Sequence, residues 1–162
     1  MNKYSYPIEE KSILYITSKS PAHKKVLLNH EEYDLTNAID FLCEEGTEVK
    51  AAFGGEVVTI FNEVNKNYNG FEEPSLDIMK QSEQDGNYVV LKHDNNEFSI
   101  YSHLKKDSIR VVKGSRVKVG DVLGYVGSTG WSIKPHLHFM VFKFVKAFPR
   151  RDYVSLKIVW KT

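Results

Sequence analysis

The 162-residue chain is poor in several features that define common protein classes. It has one cysteine, Cys43, so no disulfide can form within the chain. No apolar run approaches the roughly 18–20 residues of a membrane-spanning helix. Its 22 Lys and Arg balance 21 Asp and Glu, for a net charge of +1, and long blocks of one sign are absent. These absences exclude a disulfide scaffold and a helical membrane span. They also give no electrostatic basis for binding nucleic acid or anionic membranes.

The first ten residues contain no apolar segment of the kind found in signal peptides. Two localisations stay open on this basis: residence in the cytoplasm, or export of a chain from which the leader is absent. The composition favours no particular oligomeric state. Cys43 follows an apolar run and has no evident activating partner, so we expect a small side chain in or near the core, and not a nucleophile.

Short β-branched and aromatic runs alternate with turn residues along the whole chain, and no long segment has a helical period of 3.6. This pattern predicts an all-β fold, an antiparallel β-sandwich or barrel-like single domain spanning residues 1–162, with Gly-rich turns. Gly54 and Gly55 separate two β-like runs and predict a hairpin turn. Residues 62–84 are polar and irregular, which predicts a long surface loop.

Two histidines near the C-terminus are the first candidate functional residues. His136 and His138 follow a glycine-rich loop and Pro135, and they run directly into the apolar segment 139–142. Side chains in a strand alternate between faces, so both imidazoles are expected on the same face. Such a pair can bind a common ion, or it can be two polar residues on a solvated face.

Two further residues add to this candidate chemistry. Asp40 lies between Ile39 and Phe41 in a β-like run, where aspartate is unfavourable unless a turn, an edge position or an ion accounts for it. His103 ends the alternating run 98–104, where it is expected to share a face with Tyr101. Catalytic zinc typically takes three His, Asp or Glu ligands and leaves a position for water, whose pKa it lowers to about 7.

Three blocks of sequence resemble the lysostaphin-type (LytM-like) zinc endopeptidases, which cleave peptide cross-links in peptidoglycan. The resemblance covers residues 29–144, most of the chain. The blocks are Ala38-Ile39-Asp40-Phe41 followed by Gly46-Thr47, then Tyr101-Ser102-His103-Leu104, and then Pro135-His136-Leu137-His138-Phe139.

The resemblance implies one Zn²⁺ per chain and a peptide or peptidoglycan substrate. It implies that Asp40 and His138 bind the metal. It also implies that His103 and His136 are the unligated histidines that position and activate water and stabilise the oxyanion.

One position departs from the family pattern, because Thr36 stands four residues before Asp40 where the family has a histidine ligand. In one explanation the site is degenerate and the protein is a binding or activator module. In the other, His30 supplies the missing imidazole from ten residues before Asp40, a spacing found in variants that resemble this family. The predicted ligand set is then His30, Asp40 and His138. The remaining histidines, His23 and His93, are reserve candidates for metal binding and are expected at the surface.

A third hypothesis interprets residues 111–126 as part of a lipoyl-like or sugar-transport carrier domain. That stretch has no obvious acceptor-lysine turn, and the hypothesis leaves Asp40 unexplained, so it ranks last.

Overall fold

The computed structural model describes residues 1–28, 31–65, 67–68, 84–145 and 152–162. Within these ranges the chain forms short strands joined by turns, with 3-10 turns at Glu10–Ser12 and Asp94–Asn96. No helix in the described ranges has the length and apolar character needed to cross a membrane. The strands are β1 Lys3–Tyr4, β2 Tyr15–Thr17, β3 Lys25–Leu28, β4 Glu31–Asp34, β5 Ile39–Leu42, β6 Glu48–Lys50, β7 Gly55–Phe61, β8 Asn67–Tyr68, β9 Asn87–Lys92, β10 Phe98–Leu104, β11 Arg116–Val117, β12 Val122–Tyr125, β13 Gly130–Trp131, β14 His136–Phe144, β15 Tyr153–Ser155 and β16 Val159–Trp160.

A ten-stranded sheet dominates the fold, and β14 lies at its centre. One edge of β14 pairs with β10, and the other edge pairs first with β5 and then with β15, in each case antiparallel. The predicted all-β, antiparallel class is therefore confirmed. The assignment of residues 1–162 to one domain stays a prediction.

Alternation along β14 separates two hydrophobic cores on opposite faces of the sheet. Leu137, Phe139 and Val141 belong to the larger core, whereas Met140 and Phe142 belong to the smaller one. Because His136 and His138 have the same parity as Met140, their side chains lie on the face of the smaller core, at its end. The histidine pair thus occupies the next positions on this face of β14, beyond the apolar residues of the smaller core.

The N-terminal segment is attached to the sheet at two places. β1 pairs with β16 in parallel, and Tyr4, the second residue of β1, is 1% exposed. β2 pairs antiparallel with β5, with Thr17 opposite Asp40. The connection 18–24, which leads from β2 to β3, therefore begins next to the residue opposite Asp40.

The predicted hairpin at Gly54 and Gly55 is wrong. β6 pairs with β12, and β7 pairs with β9 and β11, so the two runs flanking the glycines join different partners. A Cβ atom at Gly55 would lie 2.4 Å from the carbonyl oxygen of Lys92. The glycine therefore permits a close approach between neighbouring strands, a second common reason for glycine in a strand. Most of the predicted surface loop, residues 66 and 69–83, lies outside the described residues.

Candidate active site

Strand register places four residues in one row across the sheet. Thr17 on β2 is opposite Asp40 on β5, Asp40 is opposite His138 on β14, and His138 is opposite Ser102 on β10. Directly paired residues of neighbouring strands have their side chains on the same face. The row therefore brings the Asp40 carboxylate and the His138 imidazole together, although 98 positions separate them in sequence.

A bulge in β10 moves His103 to the face of this row. The pairing of β10 with β9 shifts register between Tyr101 and Leu104, and His103 has a positive φ of 63°. Regular alternation would place His103 with Tyr101 on the opposite face, which the sequence analysis expected. Instead the His103 ring lies 4.6 Å from that of His136 and 6.0 Å from that of His138, between centroids. The expectation was wrong because a bulge redirects a side chain without any periodic signal.

The loop before β14 holds the His103 ring in position through a hydrogen bond. The Nδ1 atom of His103 lies 2.7 Å from the carbonyl oxygen of Thr129, which can only accept a hydrogen bond. This contact fixes the proton on Nδ1 and leaves the Nε2 lone pair free. The Thr129 hydroxyl donates to the carbonyl of Leu104 at 2.8 Å and accepts from the Asn87 amide at 3.0 Å.

His136 is held by the same kind of contact. Its Nδ1 atom lies 2.7 Å from the carbonyl oxygen of Lys134 and 3.1 Å from the hydroxyl of Ser132. Its Nε2 atom faces the row and lies 3.8 Å from Oδ1 of Asp40. Both His103 and His136 therefore present Nε2 toward a common space, with the tautomer set by a main-chain carbonyl.

Three ligand atoms converge at Asp40. Oδ1 of Asp40 lies 2.9 Å from Nδ1 of His138 and 3.2 Å from Nε2 of His23. One ligand atom from each of the three residues lies within 4.8 Å of the others. Two imidazole nitrogens and one carboxylate oxygen are a donor set of catalytic zinc, and His136 and His103 border the cluster without joining it. The residues present thus fit a zinc ion in number, chemistry and spacing.

The surroundings shift the pKa values of the site residues in two ways: they favour the charged forms of one pair of residues and the neutral forms of the other pair. Burial alone would raise the pKa of Asp40, but hydrogen bonds to His138 and His23 outweigh it and hold the pKa below its usual range. Burial would lower the pKa of His138, yet the bond to Asp40 raises it. For His103, burial and then the neighbouring His136 and His138 hold the pKa well below the usual value. The pKa of His136 is lowered by burial, against the pull of Asp40.

An open cleft of about 530 Å³ leads to these groups. Residues of the connection 18–24 form one wall, and Trp131, Ile133 and Lys134 lie in the loop of the other wall. Trp131 is half-buried and lines the cleft, which leaves it available to contact a ligand. The exposed Lys134 also lies at the cleft, as expected from its place before Pro135.

The structure brings together four of the five predicted site residues: Asp40, His103, His136 and His138. The fifth, His30, lies outside the described residues. Thr36 does not line the cleft, and its hydroxyl donates to Oδ1 of Asp34 at 2.6 Å.

The expectation that the other two histidines lie at the surface was wrong for both. The His93 residue is 4% exposed and the His23 side chain is 2% exposed. His23 is the site residue that the predicted ligand set left out, since it was only a reserve candidate. It lies 17 residues before Asp40, in a segment without periodicity. The only signal was the absence of an imidazole at Thr36.

The expectation for Cys43 as a core side chain is confirmed. Cys43 is 2% exposed, and burial raises the pKa of its thiol to about 11, in keeping with an unreactive core side chain. Tyr101 is fully buried and accepts a hydrogen bond from the Ala52 amide at 2.9 Å.

The fold and the His-Asp-His cluster define an all-β protein with the donor set of a metal-dependent hydrolase, and comparison with known proteins specifies the family. The sequence profile described as Peptidase family M23 matches residues 34–149. The chain therefore belongs to peptidase family M23, and the lysostaphin-type resemblance of its sequence is confirmed.

Three relatives illustrate this membership. The glycyl-glycine endopeptidase ALE-1 of Staphylococcus capitis is 35% identical over 62% of this chain and 23% of its own length. The peptidoglycan DD-endopeptidase ShyC of Vibrio cholerae is 35% identical over 62% of this chain and 18% of its own length. A zinc-containing peptidase from Vibrio cholerae shares the fold, with a TM-score of 0.59, 24% identity and coverage of 96% of this chain and 40% of that one. The chain spans less than a quarter of the length of these two curated relatives.

Proposed function

We propose that the protein is a zinc-dependent endopeptidase that hydrolyses peptide bonds in peptidoglycan cross-links or related cell-envelope peptides. The observation that carries the proposal is the convergence of Asp40, His138 and a further imidazole at the floor of a cleft that His103 and His136 also border. Membership of family M23 and the peptidoglycan-cleaving relatives support the choice of substrate.

In this proposal Asp40 and His138 hold one Zn²⁺ through Oδ1 and Nδ1. A zinc ion bound there would supply Lewis acidity toward the scissile carbonyl and would lower the pKa of water. Asp40 is suited to this task because its carboxylate is ionised throughout the neutral range. The sequence predicts that His30 supplies the remaining imidazole, and this residue lies outside the described ranges.

His103 acts as the general base. Its Nδ1 proton is committed to the Thr129 carbonyl, and its lowered pKa keeps the ring neutral, so Nε2 can accept a proton from the attacking water. The same contact orients the ring and stabilises the positive charge that develops when Nε2 is protonated. His103 then carries this proton to the nitrogen of the leaving amine.

His136 stabilises the oxyanion of the tetrahedral intermediate. To donate a hydrogen bond from Nε2 it must be protonated, because its Nδ1 proton is held by the Lys134 carbonyl. Burial lowers the pKa of His136, so the ring takes up this proton as negative charge develops on the oxyanion beside it. Asp40, at 3.8 Å, favours the charged form of His136 and is only a minor influence on His103. This difference supports the assignment of His103 as base and His136 as oxyanion donor.

The proposal is tested by incubating the zinc-loaded protein with purified peptidoglycan and with short glycine-containing and diaminopimelate-containing peptides. New amino termini released by the wild-type protein, and lost in His103→Ala, would support it. If the wild-type protein binds zinc and peptide but releases no new amino termini from any substrate, the binding-module alternative is correct, and the departure at Thr36 is then its sequence signature.

A further inference from the structure

The position that holds the first histidine ligand in the family has a structural role in this chain. Thr36 occupies it, and its hydroxyl and its amide both contact Oδ1 of Asp34, at 2.6 and 3.1 Å. Asp34 in turn accepts a hydrogen bond from the Ser155 amide through Oδ2 at 3.1 Å. Thr36 thus belongs to a link between β4 and β15. The third donor of the cluster must come from another part of the chain.

The imidazole of His23 occupies the space beside Asp40. Its side chain is 2% exposed, Nε2 lies 3.2 Å from Oδ1 of Asp40, and its ring centroid lies 5.2 Å from that of His138. Its Nδ1 atom lies 3.4 Å from the carbonyl of Ser18, which can only accept. A proton on Nδ1 therefore satisfies Ser18 and directs the Nε2 lone pair toward Asp40, the orientation of a metal ligand.

The spacing of the donor atoms agrees with a shared ion. Zinc bonds of about 2.0–2.1 Å in tetrahedral geometry place neighbouring ligand atoms roughly 3.3 Å apart. The distances from Oδ1 of Asp40 are 3.2 Å to His23 and 2.9 Å to His138. His136, at 3.8 Å from the same oxygen, lies outside this set.

We propose that His23 is the third metal ligand, in place of the histidine that Thr36 replaces. The inference rests on the metal dependence proposed above and assigns the one ligand that the family pattern leaves open. His23 belongs to the connection 18–24, and Lys19 and Pro21 of that connection line the cleft. The metal therefore ties one wall of the cleft to the sheet, so that metal binding and formation of the cleft are coupled.

Metal binding is measured on the 162-residue chain by inductively coupled plasma mass spectrometry and by competition with a chromophoric zinc chelator. His23→Ala is expected to lower zinc affinity by more than about 100-fold, since loss of an outer-shell partner alone costs roughly 10–100-fold. His30→Ala is the matched control, and it and Thr36→Ala are expected to bind zinc as the wild type does. Full affinity in His23→Ala would overturn the inference.

A second pair of variants gives a signal that a structural role cannot produce. His23→Cys and His30→Cys are loaded with Co²⁺, and a thiolate ligand then adds a sulfur-to-cobalt charge-transfer band in the near ultraviolet. The band is expected in His23→Cys and absent from His30→Cys and from the wild type, whose Cys43 is buried. A band in His30→Cys alone would assign the ligand to His30. Because Cys is itself a ligand, this variant decides the question even if His23→Ala folds poorly.

Hydrogen exchange tests the coupling to the cleft wall. Removal of zinc is expected to accelerate exchange of the amides in residues 18–24 of the wild type, and of His30→Ala equally. Exchange that does not respond to the metal in this segment would contradict the coupling. Failure of the wild-type protein to bind zinc would sink the proposed function itself, whereas zinc binding that survives loss of His23 would sink only this inference.

Discussion

Among the described residues, two buried histidine sites differ in what the ring nitrogens face. In the first site, His93 is enclosed: Nδ1 lies 2.9 Å from the Gly54 carbonyl and Nε2 lies 2.7 Å from the Ser99 hydroxyl. In the second, His103 and His136 each give Nδ1 to a main-chain carbonyl and leave Nε2 toward the cleft. His103, at 5% exposed, is about as buried as His93, at 4%, so burial does not identify the functional histidines.

The comparison teaches that the useful criterion is the number of ring nitrogens committed to the protein. A histidine with both nitrogens satisfied is a packing element that fixes the strands around it. A histidine with one nitrogen committed is oriented but chemically available. The following predictions test this distinction, from the largest expected effect to the smallest.

Replacing Asp40 with Ala is expected to give the largest loss. Asp40 contacts His138 and His23 through Oδ1 and is the only carboxylate of the described ligand cluster, so zinc binding and peptide hydrolysis should both fall to background. Zinc content and release of new amino termini are measured on the same preparation. Asp34→Ala, which alters a carboxylate outside the cleft, is the control, and retained zinc in Asp40→Ala would contradict the assigned ligand set.

His103→Ala is expected to lower kcat by about 10²–10⁴-fold, the usual contribution of a general base. Zinc should stay bound, because His103 lies beside the ligand cluster and does not belong to it. Steady-state kinetics and metal content together check this result. Loss of zinc in proportion to activity would show instead that His103 supports the metal.

Thr129→Val is expected to lower kcat by about 10–100-fold with little change in KM, because a small displacement of a catalytic group is costly. The substitution removes the hydroxyl that joins Leu104 and Asn87 behind the bulge of His103. Thr129→Ser keeps that hydroxyl and should restore most of the rate. An equal loss in both variants would assign the effect to packing of the methyl group.

His93→Ala is expected to leave kcat unchanged and to lower the free energy of unfolding by about 1–3 kcal/mol. The change leaves the partly buried Gly54 carbonyl and the buried Ser99 hydroxyl without their His93 partner. Urea unfolding and kinetics on the same sample check both parts. A fall in kcat for the folded protein would break the distinction between the two sites.

Lowering the pH should destabilise the folded state through the buried His93, and this effect is expected to be smaller than those above. Burial lowers the pKa of His93, against the pull of Glu97 and Asp94, so the folded state holds it neutral while the unfolded state binds a proton near pH 6.5. Its contribution to stability is therefore present above about pH 6.5 and is lost as the pH falls. The free energy of unfolding of His93→Gln should decline less steeply between pH 7 and 5 than that of the wild type. Equal slopes would contradict the assignment.

The strand that carries the histidine pair could be predicted from sequence because a period of 2 is a local property. The same holds for Asp40, whose place in an apolar strand was itself the anomaly. The facing of His103 could not be predicted, because a bulge depends on the partner strand and on Thr129 behind it. His23 was missed for a related reason. It lies in a loop that the pairing of β2 with β5 brings beside Asp40, and the spacing of residues in the sequence does not reveal that pairing.

The bulge at His103 has a consequence for how far this protein can be stabilised. A non-glycine residue with positive φ is strained by about 1–3 kcal/mol, which the surrounding structure must offset. A glycine at position 103 would relieve that strain and remove the proposed base in one step. Selection for thermal resistance alone would therefore favour inactive molecules here, and any stabilised variant that keeps activity must gain its stability away from β10.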